Sequence, residues 1–282
     1  MTLLDSLLLG IVQGLTEFLP VSSSGHLQLG HDIFGAPEES LFFDVLLHVG
    51  TLFAVFWVYR NDLLTIIRET FAGLMQLPKG IAQAFAASRG LRTTLLVILA
   101  TIPTGVIGLL GKDLIEGPWV NTTFVSALLL VNGTNLFLSR FIREKEPAAD
   151  GTWSVDGIGP REALLIGIAQ GIAVLPGISR SGTTIMVALF LGARRERAAQ
   201  FSFLLAIPAI LGAAVLAWDT EEIMASSGQT GVMLAGAAIA CLVGIVALKL
   251  LLQLLRKAQF HVFAWYCWAV GIAGLVWSLL LK

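Results

Sequence analysis

The chain has little charge. Of its 282 residues only 13 % are Asp, Glu, Lys or Arg, about half the roughly 25 % of a soluble domain. That leaves too little polar surface to cover a water-facing globule, so a soluble fold is excluded. Cysteine is scarce as well: Cys241 and Cys267 both lie in apolar runs, which excludes a disulfide framework and a cysteine metal cluster. The net charge of −1 leaves no broad basic footprint, so nucleic acid is not an expected partner. No cation precedes Arg60. Without a basic leading region, a cleavable signal peptide is not expected.

What the chain has is apolar length. Hydrophobic residues make up 56 % of it and the mean hydropathy is +0.83. Crossing the hydrocarbon core takes about 20 apolar residues at 1.5 Å each. Six stretches qualify: 41–59, 93–111, 119–140, 200–218, 230–252 and 261–281. Two further apolar regions, 3–34 and 161–192, are broken in the middle. The first breaks at Pro20-Val21-Ser22-Ser23-Ser24-Gly25-His26 and the second at Pro176-Gly177-Ile178-Ser179-Arg180-Ser181-Gly182. Non-helical backbone at membrane depth is tolerated only inside protein or beside a wet cavity. Both regions therefore read as re-entrant helix hairpins.

Charge placement supports this reading. Arg60, Arg68, Lys79, Arg89 and Arg92 lie in 60–92, whereas the next connection holds only Lys112. Cations return in 140–161 (Arg140, Arg143, Lys145, Arg161) and 193–199 (Arg194, Arg195, Arg197). They vanish in 219–229, which carries Asp219, Glu221 and Glu222, and reappear as Arg256 and Lys257. The alternation keeps its phase under the positive-inside rule only if 161–192 enters and leaves on the cytoplasmic side. The first hairpin then enters from the opposite face.

The hairpins also resemble each other, Leu8-Leu9-Gly10-Ile11-Val12-Gln13-Gly14 matching Leu165-Ile166-Gly167-Ile168-Ala169-Gln170-Gly171. Repeats of opposite orientation with broken helices are a transporter-like design. The expected fold is thus an all-α integral membrane domain spanning 1–282, with six transmembrane helices and two re-entrant hairpins in an inverted repeat. The halves are about 1–140 and 160–282. Segment 62–92 reads as an amphipathic cytoplasmic linker and 144–160 as a flexible joint. Trp57, Trp119, Trp153, Trp218 and Trp277 fall near span ends, as an interfacial belt requires.

Ionisable groups at membrane depth cost about 2.5–3.5 kcal/mol each on insertion scales and mark function by default. Here they are Glu17, His26, Asp44, His48 and Arg180, three of them in or beside the two broken loops. Ser179-Arg180-Ser181-Gly182-Thr183-Thr184 precedes an apolar helix, whose start presents unpaired N–H groups to a phosphate, and Arg180 can grip it with two bonds. Pairing of Arg180 with Glu17 is the structural alternative. In the first loop, Ser22, Ser23 and Ser24 supply hydroxyls and His26 an imidazole that can move a proton. Glu17 can orient that imidazole, and Gln13 lies one turn earlier on the same helix face. Asp44 and His48, also one turn apart, could line the cavity, bind a divalent cation with a diphosphate, or form an interfacial pair.

The run Gln13-Gly14-Leu15-Thr16-Glu17-Phe18-Leu19-Pro20-Val21-Ser22-Ser23-Ser24-Gly25-His26 resembles the first signature of the undecaprenyl-diphosphate phosphatase family, also called bacitracin resistance proteins. Pro176 to Thr184 resembles its second, and Phe201-Ser202-Phe203-Leu204-Leu205-Ala206-Ile207-Pro208 is typical as well. The resemblance covers essentially the whole chain. It implies an interdigitated inverted repeat in the bacterial inner membrane, with an active site reached from the periplasm. The implied reaction converts undecaprenyl diphosphate to undecaprenyl phosphate and inorganic phosphate, recycling the lipid carrier of peptidoglycan synthesis and giving bacitracin resistance.

Glu17, Ser23, His26 and Arg180 occupy the family's important positions. Substrate contacts are expected from Gln13, Ser22, Ser24, Gly25, Ser179, Ser181, Gly182 and Thr183. The family's first acidic position is Gln13 here, which weighs against any mechanism or metal site needing two carboxylates. His48 stands where other members carry a polar amide. No tightly bound cofactor is expected. A divalent cation (Mg or Ca) is compatible with the family, Asp44 being the one candidate ligand, and so is a homodimer.

In the expected mechanism Arg180 and the loop N–H groups neutralise phosphate charge, Ser23 or a water attacks phosphorus, and His26, held by Glu17, handles the proton. The rival from another class is a transporter or flippase for the polyprenyl phosphate. It needs a phosphate site but not the acid–base group of Glu17, Ser23 and His26.

Overall fold

The computed structural model of the chain describes residues 1–34, 41–111, 117, 119–142, 155–216 and 229–280. Calls made on 144–154, Lys112, Arg143, Lys145, Trp153, Trp218, Asp219, Glu221 and Glu222 lie outside the described residues.

The described residues form α-helices linked by turns and short 3-10 segments. In chain order they are α1 (Leu3–Phe18), α2 (Ser23–Phe34), α3 (Leu41–Val58), α4 (Arg60–Leu74), α5 (Ile81–Ala87), α6 (Arg89–Leu110) and α7 (Thr122–Leu138), followed by α8 (Pro160–Ile172), α9 (Arg180–Phe190), α10 (Arg195–Leu216), α11 (Thr230–Arg256) and α12 (Phe263–Leu280). Each of the six expected spans coincides with one of them. Five stretches are long and apolar enough to cross a membrane: Arg89–Leu110, Thr122–Phe141, Arg195–Leu216, Thr230–Arg256 and Phe260–Leu280. The sixth, α3, meets that test only together with α4, from which it is bent by 78°. The protein is an all-α integral membrane protein. α6, α10 and α11 begin or end on arginines outside the apolar windows, because long cationic side chains at a helix end reach back to the interface.

The two broken regions are helix–turn–helix units. At 16 and 12 residues for α1 and α2, and 13 and 11 for α8 and α9, every arm falls short of the roughly 20 residues a crossing needs. α1 starts from a reciprocal cap: Thr2 Oγ1 accepts the Asp5 N–H at 3.2 Å while Asp5 accepts that of Thr2 at 2.8 Å. Its partner is not its own half. α1 packs along α11, while α8, its counterpart by sequence, packs along α6. The matched glycines explain how. Gly10 meets the backbone of Gly236 and Gly167 that of Ala100, so closely that a Cβ on Gly167 would sit 2.9 Å from the Ala100 Cα. Small residues let helices approach in lipid, where dispersion and backbone contact replace the hydrophobic effect.

The connections are more structured than their composition suggests. The linker 62–92 is mostly helix, α4 carrying Arg60, Asp62, Arg68 and Glu69 across the end of α3, as an amphipathic interfacial helix would. The flexible joint was misjudged in its described part. Val155 and Ile158 pair by backbone at 2.9 and 3.1 Å, both with no exposed surface, and Gly157 takes φ +83° to close the turn. Two apolar side chains with core to bury outweigh the glycines and prolines around them. Of the described tryptophans in the expected belt, Trp57 and Trp119 are exposed, and Arg60 stacks on Trp57 at 5.3 Å.

Candidate active site

The turns of the two hairpins touch. Ser22 accepts the N–H of Gly177 at 3.0 Å through Oγ, Ser181 Oγ donates to the Phe18 carbonyl at 3.1 Å, and Gly182 lies against Pro20. Their backbones repeat one design. Ser22 and Ser179 each accept the N–H three residues on, from Gly25 (3.3 Å) and Gly182 (3.1 Å), and their carbonyls accept from His26 and Thr183. Side-chain caps of this kind satisfy one N–H of a helix start. Ser23 and Arg180 thereby take equivalent positions at the starts of α2 and α9. Ser22 adopts φ +71°, a left-handed conformation costly for any residue but glycine; its bonds to both loops hold it there.

Both equivalent residues reach Glu17, whose side chain is 4 % exposed. Arg180 forms an ion pair with Glu17 Oε1. Ser23 Oγ donates to Oε2 at 2.9 Å and Gln13 Nε2 donates to the same oxygen at 3.1 Å. His48 Nε2 approaches it at 3.6 Å. A buried carboxylate requires such compensation.

His26 stands apart from that cluster, a correction to the expectation that Glu17 holds it. Its Nδ1 lies 2.8 Å from the Ser22 carbonyl, and its Nε2 2.8 Å from the hydroxyl of Tyr266 on α12. The cause is local: a helical side chain leans toward the helix start, and from the first turn of α2 that direction leads to the Ser22 carbonyl. The histidine that does meet Glu17 is His48, whose Nδ1 bonds to the Asp44 carbonyl at 2.9 Å. Asp44 stays one step removed, its carboxylate 3.5 Å from His48 Nδ1.

The expected substrate contacts also divide. The hydroxyls of Ser22, Ser179 and Ser181 are buried and bonded within and between the loops. Gly25 and Gly182 serve the close approach of the turns, a Cβ on Gly25 falling 3.1 Å from Gly177. Ser24 is exposed. Thr183 Oγ1 and Gln13 Oε1 are buried without a partner. Four backbone N–H groups, of Ser23, Ser24, Arg180 and Ser181, belong to first helical turns, where no intrahelical acceptor exists.

Sequence reasoning missed Asn132. Midway along α7 and 1 % exposed, it donates to the Pro20 carbonyl at 2.9 Å and accepts the Ser179 N–H at 3.2 Å, bracing both loops. Asn132→Leu will leave two buried backbone groups unpaired, at about 1–3 kcal/mol each. A lowered thermal midpoint in detergent checks this, and an unchanged midpoint would refute the bracing role.

The side chains do not fit a protein-held divalent ion. Both Glu17 oxygens are engaged, and the Arg180 guanidinium beside them repels a cation. Among the described residues no three His, Cys, Asp or Glu side chains converge on one point.

Residues 6–273 match the family described as bacitracin resistance protein BacA. A protein named undecaprenyl-diphosphatase from Desulforapulum autotrophicum is 42 % identical over 278 residues, 98 % of each chain. A second of that name, from Alkaliphilus metalliredigens, is 41 % identical over 290 residues, covering 99 % of this chain and all of its own. A third, from Methanosphaera stadtmanae, is 38 % identical over 282 residues, 99 % of each. With two touching serine-capped loops and a buried Glu17–Arg180 pair between them, and similarity from end to end, this chain belongs to the bacitracin resistance protein BacA family.

Proposed function

We propose that the chain hydrolyses undecaprenyl diphosphate to undecaprenyl phosphate and inorganic phosphate, with Ser23 as the nucleophile. One observation carries the choice of serine: Ser23 Oγ donates to Glu17 Oε2 at 2.9 Å while Arg180 holds the other carboxylate oxygen. A nucleophile within hydrogen-bond reach of an oriented base is the arrangement that activates a hydroxyl.

In the first half-reaction the Ser23 oxygen bonds to the terminal phosphorus, its proton passes to Glu17, and the bond from that phosphorus to the bridging oxygen breaks. The polyprenyl monophosphate leaves. In the second, water attacks the phosphoserine, His26 takes up the water proton, and Ser23 regains its own from Glu17 as phosphate departs. Arg180, with donors beyond the one on Glu17, and the first-turn N–H groups of α2 and α9 meet the charge on the transferring phosphoryl group. Two helix starts whose turns touch suit an anion. A flippase would need that anion site but gives no role to the Ser23–Glu17 contact.

The same reading takes 1–140 and 160–282 as halves of opposite orientation in the bacterial plasma membrane, the site opening away from the arginine-rich face. The crossed packing of α1 on α11 and α8 on α6 supports it. To test the nucleophile, substrate labelled in the terminal phosphate is mixed with excess protein and quenched in acid. Label will be recovered on Ser23 and will be absent from Ser23→Ala. Single-turnover phosphate release without a Ser23 adduct, together with near-normal activity of Ser23→Ala, would replace the serine by water.

A further inference from the structure

The two ring nitrogens of His26 face partners of different kinds. The Ser22 carbonyl, 2.8 Å from Nδ1, can only accept a hydrogen bond. Nδ1 therefore carries a proton whether the ring is neutral or charged, and the nitrogen that gains and loses a proton is Nε2. Nε2 is 2.8 Å from the Tyr266 hydroxyl, and the rings lie nearly parallel, 7° apart with centroids 5.5 Å from one another. A phenol is one of the few groups that can serve both states. It donates to the Nε2 lone pair of the neutral ring and, after its O–H turns, accepts from Nε2–H of the imidazolium.

The helix that brings this tyrosine is fixed in register against the same loop. The neighbouring Cys267, buried, lies 3.4 Å from the Asn132 amide and 3.7 Å from the Pro20 carbonyl. One and two turns further along the same face, Gly271 and Gly274 meet Ser126 on α7. α12 thus has no freedom to slide Tyr266 away from His26.

We infer that Tyr266 is the positioning residue of His26: it holds the imidazole in one tautomer and one plane. Because its hydroxyl occupies the Nε2 lone pair, the proton bound for that nitrogen arrives through this hydroxyl, which gives its own proton to Nε2 as it takes the incoming one. The inference rests on the reading that His26 moves a proton in hydrolysis. It adds a residue from the last helix to a site otherwise built on the two hairpins, α3 and α7.

Tyr266→Phe keeps the ring and its packing and removes only the hydroxyl, so the test is made with this variant, His26→Ala and the double variant. With purified protein and the polyprenyl diphosphate, Tyr266→Phe will lower kcat about tenfold, the scale of one hydrogen bond to a charged group, with KM within about twofold. In the His26→Ala background the same change will alter the residual rate by less than about twofold, because the tyrosine acts through the histidine. Nitrogen-15 spectra of histidine-labelled protein give a readout independent of turnover. With four histidines in the chain, His26 is assigned by difference from His26→Ala. Its Nδ1 will be the protonated nitrogen, and Tyr266→Phe will move the Nε2 resonance.

Equal losses in both backgrounds, no loss in either, or an Nε2-protonated neutral ring would overturn the inference. If His26→Ala left hydrolysis intact while Tyr266→Phe still moved Nε2, the pairing would stand and the proton role of His26 would fall.

Discussion

Arg180→Ala will lower kcat by about 10³-fold or more, the scale of losing a preorganised cation at a transferring phosphoryl group. It will also strip the buried Glu17 carboxylate, 4 % exposed, of its arginine, leaving the His48 ring at 3.6 Å beside it. Breaking a buried pair from one side costs up to about 3–5 kcal/mol, so the rate loss alone does not distinguish chemistry from unfolding. The double variant Arg180→Ala, Glu17→Gln separates them. A neutral amide needs no countercharge, so the thermal midpoint will recover most of its loss while activity stays low. Because the amide also removes the base, the rate is compared with that of Glu17→Gln alone. A further loss in the double variant is expected, and equal rates would mean that Arg180 serves Glu17 rather than substrate.

Ser23→Ala will remove about 10⁴-fold or more from kcat, the scale seen when an acyl-transfer nucleophile is deleted. The neighbouring serines provide contrasting controls. Ser22 Oγ accepts the N–H groups of Gly25 and Gly177, so Ser22→Ala will cost stability, about 1–3 kcal/mol per orphaned N–H. Ser24, exposed on the same loop, will change either quantity little when replaced by alanine. Phosphate release and thermal melting on the three variants give the comparison. If Ser24→Ala rather than Ser23→Ala were the inactive protein, the Glu17 contact would not identify the nucleophile.

Much of this arrangement was legible in the residues. The apolar runs and the alternation of cations located six helices within a few residues, because burial in lipid writes a strong one-dimensional signal. The Pro/Ser/Gly breaks located the hairpins, and a search for charge at membrane depth found Glu17 and Arg180, which the fold joins.

The same search could not find Asn132 or Tyr266. A neutral amide in a leucine run raises no alarm, and a tyrosine among Phe263, Trp265 and Trp268 reads as interfacial aromatic. The partner of His26 was misassigned because nearness in sequence stood in for direction. Eight residues separate it from Glu17, but the turn between them sends the imidazole onto its own cap. His48 was visible as a turn-mate of Asp44, but not which way that helix face pointed. A cluster such as Glu17, Gln13, Ser23, His48 and Arg180 depends on how three segments cross, and that has no period in the sequence.

The glycine contact of α1 with α11 bears on how the chain matures during synthesis. α1 ends at Phe18, but the surface it docks on begins at Thr230. At about 5–20 residues per second, the ribosome takes on the order of 10–40 s to supply that surface. For that time the leading hairpin, with Glu17 and Ser23, waits beside the translocon without its dock, and the enzyme cannot assemble its chemistry until the final third of the polypeptide has been inserted.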